Sequence, residues 1–413
     1  MKSFTALRAV SELDHLRKAW RKLAKRKKSR GCDGVTIEAF SADLDSNLRQ
    51  ISTELRNGTY QMCRLRPSVY FKVGSTKPRP LQIPAVRDRV VMKALALFIQ
   101  PSFDKFDLPC SFAYIKGKDR GVPAVILRVH ELVGRGFIHY FEADIVNFFG
   151  TVDRSRLWAK FVKQVRHRSL LPILEQCFEQ ELDNLDTFQL EYEKLFAGAT
   201  AGIPQGGVLS PMLANFYLHE FDRAVTKSGF ELIRYADDFV VMCKTREQAE
   251  RAHVLCKTLL ESLGLRIHAL DELNSKSKFG YFSKHGLNFV GVRFEGSITT
   301  PDPKVISRFK EKVSLVLKPH SGDSLANTLQ SLKNLITGWG NGYKAMHVQQ
   351  TFLTLDAHIK LEVARYLQAS GIKLEGRDRR KQMRFLGVPS LSAMVEHATK
   401  PQTKDKADGP GLQ

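Results

Sequence analysis

The chain has 413 residues, 43% of them hydrophobic, enough for two or three domains with sizeable cores and too many for a disordered protein. Its 64 Lys and Arg outnumber 43 Asp and Glu by 21, a surplus that points to a polyanionic partner, either nucleic acid or an acidic membrane surface. No apolar run reaches the ~18 residues that span a bilayer, the charged N-terminus is unlike an export signal, and six scattered cysteines fit neither a zinc site nor a disulfide framework, so a reducing cytoplasm is expected.

The first thirty residues read as helix ending in a basic run, Arg21 to Arg30, whose Lys25, Arg26, Lys27 and Lys28 are candidate nucleic-acid contacts or simply a solvated face. GCDGVT then forms a loop, and an amphipathic helix follows that stops at Asn57-Gly58. From Met62 to Pro84 four prolines break the chain into short extended pieces. Phe137 to Phe149 is rich in β-branched and aromatic residues and predicts a strand, followed by a helix from Arg154 to about Val165. Ser210-Pro211 starts a helix, with Ser as N-cap and Pro at the first helical position. Phe230–Tyr235 and Phe239–Cys243 predict a β-hairpin with Asp237 and Asp238 in its tip. A helix over Glu247–Leu263 ends at Gly264, and Leu265–His268 reads as a short strand. Beyond Thr300 helix-spaced apolar residues with basic outer faces predict a bundle, and the polar end, from residue 399 or 400 to 413, predicts disorder. The class is α+β, with helices on one face of an antiparallel sheet.

Asp144 ends an apolar strand, and Asp237 and Asp238 tip an apolar hairpin. Carboxylates in such places are normally paired, hydrogen-bonded or bound to metal, because an unpartnered buried charge is costly. An Asp-Asp turn is also common on exposed hairpins. If the two strands are neighbours, the acids meet at one sheet edge and repel unless cations sit between them. Mg2+ fits hard oxygen donors and phosphate oxygens, and two ions about 4 Å apart suit nucleotidyl transfer. The glycine-rich stretch Ala201 to Gly207 feeds the Ser210 helix and lacks the phosphate-loop lysine, which disfavours an ATPase.

ADIVNFF, AGIPQGGVLSPMLANFYLHEFD and RYADDFVV occur in the order and approximate spacing of a reverse transcriptase palm. The set resembles bacterial reverse transcriptases related to group II intron proteins. GCDGVT, KPRPLQIPAVRDRVV, LNSKSKFGYF with LNFVGVRF, and ITGWGNGYK extend the resemblance over most of the chain. It implies a right-hand polymerase: N-terminal extension and fingers over 1–125, palm over 126–298 and helical thumb over 299–398. It implies Asp144, Asp237 and Asp238 as catalytic acids on two Mg2+ ions, with Mn2+ as a substitute. Phe149 matches the residue that excludes a ribose 2′-OH, although a core Phe reads the same way. Gln205 and Gly206 match the loop against template and nucleotide. Lys77 and Arg79 match fingers positions facing the triphosphate, where an ordinary basic turn is equally consistent. Lys276 matches a late-palm lysine that helps protonate pyrophosphate, or it is a surface lysine. Three positions depart from the family pattern: Gly150 for Asp, Met92 for Gln, and Ile115 for Arg, where Lys116 or Lys118 can supply the charge.

The resemblance implies an RNA-directed DNA polymerase using an RNA template and dNTPs to make cDNA. With no nuclease or integrase pattern evident, the compact retron-like or antiphage-defence type is expected, copying a dedicated structured non-coding RNA, with no membrane partner. The alternative is an RNA-binding, maturase-like protein whose polymerase activity is secondary. Template, primer, trigger and oligomeric state are not legible in the sequence.

Overall fold

The local signals decide most element ends. Thr5 caps helix α1 (Ala6–Ser11), its Oγ1 accepting from the Arg8 N–H, and α2 (Leu13–Leu23) buries Leu16, Ala19 and Trp20. Helix α3 (Leu44–Asn57) ends because Gly58 takes φ +72°, the left-handed conformation that glycine adopts without strain. The proline-broken stretch forms a two-stranded antiparallel ribbon, β1 (Arg66–Phe71) with β2 (Pro78–Ile83). Helix α4 (Val86–Phe103) follows, apolar on nearly every side, and it is buried accordingly. In the computed structural model the described residues are 5–24, 29–71, 73, 78–117, 119–184, 190–196, 201–272, 275–318, 324–372 and 379–399. Lys25, Arg26, Lys27, Lys28, Lys77, Lys118 and the tail from residue 400 lie outside them.

The chain divides into two compact units, the first made of nearly all residues up to Lys284 and the second beginning at His285. At the centre of the first is a four-stranded antiparallel sheet in the order β4-β5-β3-β6. Helices α5 (Gly121–Gly134), α6 (Arg154–Gln164), α7 (Ser210–Lys227) and α8 (Arg246–Ser262) belong to the same unit. The strands are β3 (His139–Asp144), β4 (Glu231–Tyr235), β5 (Asp238–Cys243) and β6 (Lys278–Tyr281). Phe141, Phe239, Phe221 and His253 meet edge-on where α7 and α8 cover the sheet. Each buried Phe contributes ~1.5–3 kcal/mol.

Three local expectations change. Strand β3 stops at Asp144, because Ile145 and Val146 donate to the Asp237 and Arg266 carbonyls and Asn147 turns the chain with φ +47°. Phe148 and Phe149 therefore lie in a short helix, Phe148–Thr151. Leu265–His268 is no strand; it joins the sheet only through a bridge between Ile267 and Ile145. Ser210 is the first residue of α7 rather than its cap, and its hydroxyl donates backwards to the Pro204 carbonyl at 2.6 Å.

The second unit has a three-stranded antiparallel sheet, β7 (Leu287–Phe289), β8 (Val292–Glu295) and β9 (Ile298–Pro301). Val290 and Gly291, both at positive φ, make the two-residue turn between β7 and β8. Helices α9 (Pro303–Val316), α10 (Leu325–Tyr343), α11 (Gln349–Ala369) and α12 (Leu391–Thr399) pack around Phe309, Leu332, Ile336, Phe352 and Ile359. Buried Asp356 on α11 accepts from the Leu391 and Ser392 N–H groups and so satisfies the start of α12. Among the described residues no helix is long and apolar enough to cross a membrane.

Gly280 of β6 lies over Tyr140 of β3, and a Cβ there would sit 2.0 Å from the tyrosine ring. Gly280→Ala should therefore prise β6 from β3 and lower stability by about 1–3 kcal/mol, the usual cost of overpacking. Urea unfolding measures this; unchanged stability would show that the ring moves aside freely.

Candidate active site

Antiparallel pairing brings the three acids together. β3 and β5 run from His139 opposite Cys243 to Asp144 opposite Asp238, so the strand-end carboxylates face across one rung. Asp237 lies in the two-residue turn that closes β4 and β5, beyond the Tyr235–Asp238 pair. One carboxylate oxygen from each of Asp144, Asp237 and Asp238 lies within 4.8 Å of the other two. Asp144 is buried and Asp237 half-buried; Asp238 is exposed as a residue, while its carboxyl is desolvated against Asp144.

Charge governs this site. The Asp238 carboxyl is pushed up to about 8, first by desolvation, then by Asp144 as hydrogen-bond partner and as like charge, then by Asp237. Asp237 is raised by desolvation and by Asp144, with Lys276 and then Arg79 opposing the rise. The Lys276 ammonium donates to Asp144 Oδ2, and His268 Nε2 stands 3.7 Å from the same oxygen while its Nδ1 lies 3.1 Å from Glu272. A lysine on the innermost acid stands where positive charge is most needed. Hard oxygen donors, close spacing and carboxyls that resist ionisation fit a divalent cation.

The other sequence-derived residues frame these acids. Arg79 is exposed on β2, opposite Tyr70, and its charge reaches Asp237. Phe149 is half-buried, its ring edge-on to Phe148 at 5.3 Å. Its carbonyl accepts from the Ile203 N–H at 2.8 Å, docking the glycine-rich loop on the segment after Asp144. Gly202 permits that approach: a Cβ there would lie 2.1 Å from the Phe149 carbonyl oxygen. The Gln205 carbonyl accepts from the Gln82 N–H at 2.9 Å, and Gly206 takes φ +110°, so β2 and this loop are joined through backbone. Of the departures, Met92 is buried in α4, Gly150 is exposed beside Asn147, and Ile115 is half-buried in the segment that carries exposed Lys116.

Sequence reasoning missed Arg234, Asp222 and His268. Arg234 and Asp222 stand inside the quoted palm segments, but nothing local marks them as a buried pair. His268 had been placed in a strand.

Residues 71–294 match the family model described as reverse transcriptase (RNA-dependent DNA polymerase), and residues 306–385 match the group II intron, maturase-specific domain. The chain belongs to the reverse transcriptase family, whose fold is the right-hand polymerase and whose reaction is RNA-directed DNA synthesis by nucleotidyl transfer. It is 28% identical to protein YkfC of Escherichia coli over 278 residues, covering 58% of this chain and 70% of YkfC. It is 26% identical over 190 residues to the group II intron-encoded protein LtrA of Lactococcus lactis, covering 46% of this chain and 29% of LtrA. Solved structures with similarity include a partial Cas6-RT-Cas1–Cas2 complex (TM-score 0.37, 24% identity, 63% of this chain and 42% of that one). Telomerase from Candida albicans gives TM-score 0.38 and 11% identity over 87% of this chain and 68% of that one.

The raised carboxyls fix the sign of a pH effect. An acid whose folded pKa lies above its unfolded value near 3.8 is protonated when folded and ionised when unfolded between those values. Metal-free stability should therefore fall as pH rises from about 4 to about 8. A cation needs the ionised carboxylates, so Mn2+ binding at pH 7 should release close to one proton and tighten as pH approaches about 8. Calorimetry in buffers of different ionisation enthalpy measures that proton; a pH-independent affinity would overturn the electrostatic account.

Proposed function

We propose that this chain is a Mg2+-dependent reverse transcriptase that copies a dedicated, structured non-coding RNA into cDNA, working in the cytoplasm and in antiphage defence. The observation that carries the reading is the three carboxylate oxygens gathered within 4.8 Å at the end of paired strands. Asp144, Asp237 and Asp238 would hold two Mg2+ ions, or Mn2+ in their place. When bound, the ions lower the charge on an attacking 3′-oxygen and steady departing pyrophosphate. Arg79 and Lys77 take the triphosphate, Gln205 and Gly206 face template and nucleotide, and Lys276 supplies a proton to pyrophosphate. Lys25, Arg26, Lys27 and Lys28 hold RNA through its phosphates, as the net charge of +21 favours. An N-terminal helical extension and fingers would cover 1–125, the palm 126–298 and the helical thumb 299–398.

The maturase-specific match over residues 306–385 favours a second reading, in which the chain serves chiefly as an RNA-binding, maturase-like protein. Sequencing nucleic acid co-purified with wild type and with Asp237→Ala/Asp238→Ala separates the two. One discrete RNA in both, with complementary cDNA only in wild type, is expected. A discrete RNA without cDNA in either, from infected and uninfected cells alike, would overturn the polymerase reading and support the second.

Phe149 supplies the sugar gate: an aromatic ring against C2′ leaves no room for a hydroxyl. Phe149→Ala should raise the use of rNTPs relative to dNTPs by about 10–100-fold, the scale of discrimination by pocket shape. Single-nucleotide extension reads the ratio, and unchanged selectivity would return Phe149 to the core.

A further inference from the structure

Arg234 is the largest fully buried side chain among the described residues, and every one of its five N–H donors is used. Nε and Nη2 grip the two oxygens of Asp222 on α7 at 2.7 and 2.6 Å, a bidentate pair fully sealed from water. Nη2 also donates to Ser111 Oγ at 2.9 Å. Nη1 donates to Asn215 Oδ1 at 3.2 Å and to the Ala236 carbonyl at 2.9 Å. The Arg234 backbone is held too, its N–H donating to the Cys110 carbonyl and its carbonyl accepting from the Phe112 N–H.

The Ala236 carbonyl belongs to the turn that carries Asp237. Ala236 takes φ +61°, a conformation uncommon for a residue with a Cβ, so the turn needs anchors to persist. It has one on each carbonyl: Arg234 holds that of Ala236, and the Ile145 N–H holds that of Asp237 at 3.2 Å. The second anchor comes from the residue after Asp144. The first comes from a guanidinium whose other donors reach α7 and the 110–112 segment.

We propose that Arg234 is a positioning residue: through its five donors it locks the Asp237 turn to α7 and to Ser111, and so sets the spacing of the acids that receive the divalent cation. It touches neither nucleotide nor the acids' side chains. Lysine cannot substitute, because one ammonium cannot grip Asp222 in two places and reach Ser111, Asn215 and Ala236 as well. The proposal rests on the polymerase reading for its consequence in catalysis, while its effect on cation binding is independent of that reading.

The test compares full-length wild type, Arg234→Lys and the apolar pair Arg234→Met/Asp222→Leu, which removes both buried charges together and so guards against simple unfolding. Melting temperature, Mn2+ binding by electron paramagnetic resonance, template-primer affinity and nucleotide addition are measured on each. The expected result is near-native melting in the apolar pair, Mn2+ affinity reduced about tenfold and kcat reduced about 100-fold, the scale set by ångström-level misplacement. Template-primer affinity and KM for dNTP should stay within about twofold, since only the acids have moved. Arg234→Lys should fall on the same side of each comparison. Wild-type Mn2+ affinity and kcat in either folded variant would overturn the proposal, as would template-primer affinity lost in step with activity. Mn2+ binding that weakens as expected in a protein whose wild type makes no cDNA would uphold the positioning role and sink the polymerase reading instead.

Discussion

Mutual repulsion among three carboxylates is the constraint around which the first unit is organised. Two unit charges about 4 Å apart interact by roughly 4 kcal/mol at the effective dielectric of a protein surface. Asp144, Asp237 and Asp238 accept that opposition because covalent and backbone geometry leaves them no alternative. The β3–β5 register puts two of them on one rung, and the hairpin turn puts the third beside them. A loop bearing three acids would open to relieve the strain; the ends of a four-stranded sheet cannot. The relief is electrostatic, from Lys276 on Asp144 and from Arg79 toward Asp237, and it leaves Asp238 with a raised pKa. Carboxylates held this close by backbone pairing form a donor set that suits a divalent cation.

The backbone that holds the acids together is itself held by identifiable hydrogen bonds. β4 would be the exposed edge of the sheet, a place where strands fray or pair wrongly. Cys110, Ser111 and Phe112 cover part of that edge with backbone hydrogen bonds to Arg234, and the Arg234 side chain runs inward to Asp222. Burying a guanidinium and a carboxylate costs several kcal/mol per ion before pairing, so the pair is weak as a source of net stability. Its value lies in geometry, since a planar fork with five satisfied donors admits one arrangement of α7, the edge segment and the turn. Apolar contacts fill this core, and the buried polar network makes the arrangement unique.

The meeting of the three acids was expected from the sequence because an acid ending an apolar strand and two acids tipping an apolar hairpin break a local rule; since an Asp-Asp turn alone also reads as an exposed hairpin, the ordered palm motifs around them decided the reading. The hairpin, α8 with its terminal Gly264 and the stop at Gly58 were legible because each rests on local propensity. What escaped depended on partners distant in the chain. Asp222 reads as one polar position of an amphipathic helix, and Arg234 as a charged residue in a strand; only packing joins them. The overrun of β3 to Phe149 has a similar origin. Phe148 and Phe149 have high strand propensity, but hydrogen bonds from Ile145 and Val146 to Asp237 and Arg266 divert the backbone first. Ser210 lost its cap role because the glycine-rich loop folds back to offer it the Pro204 carbonyl.

The same loop shows why a residue's role can be shared between backbone and side chain. The Phe149 ring sits edge-on to buried Phe148, while its carbonyl is held by Ile203 and crowded by Gly202. Moving the loop therefore moves Phe149, and moving Phe149 displaces the chain five residues from Asp144. Through Gln205 the loop is also bound to β2, which bears Arg79. Elements that would face the sugar, the triphosphate and the reacting acids are thus joined by main-chain hydrogen bonds, which a side-chain substitution alters only by moving the backbone. Of the positions that depart from the family pattern, Gly150 is part of this frame, its N–H donating to the Asn147 carbonyl and its backbone lying against Gly202, and Met92 is packed in the core.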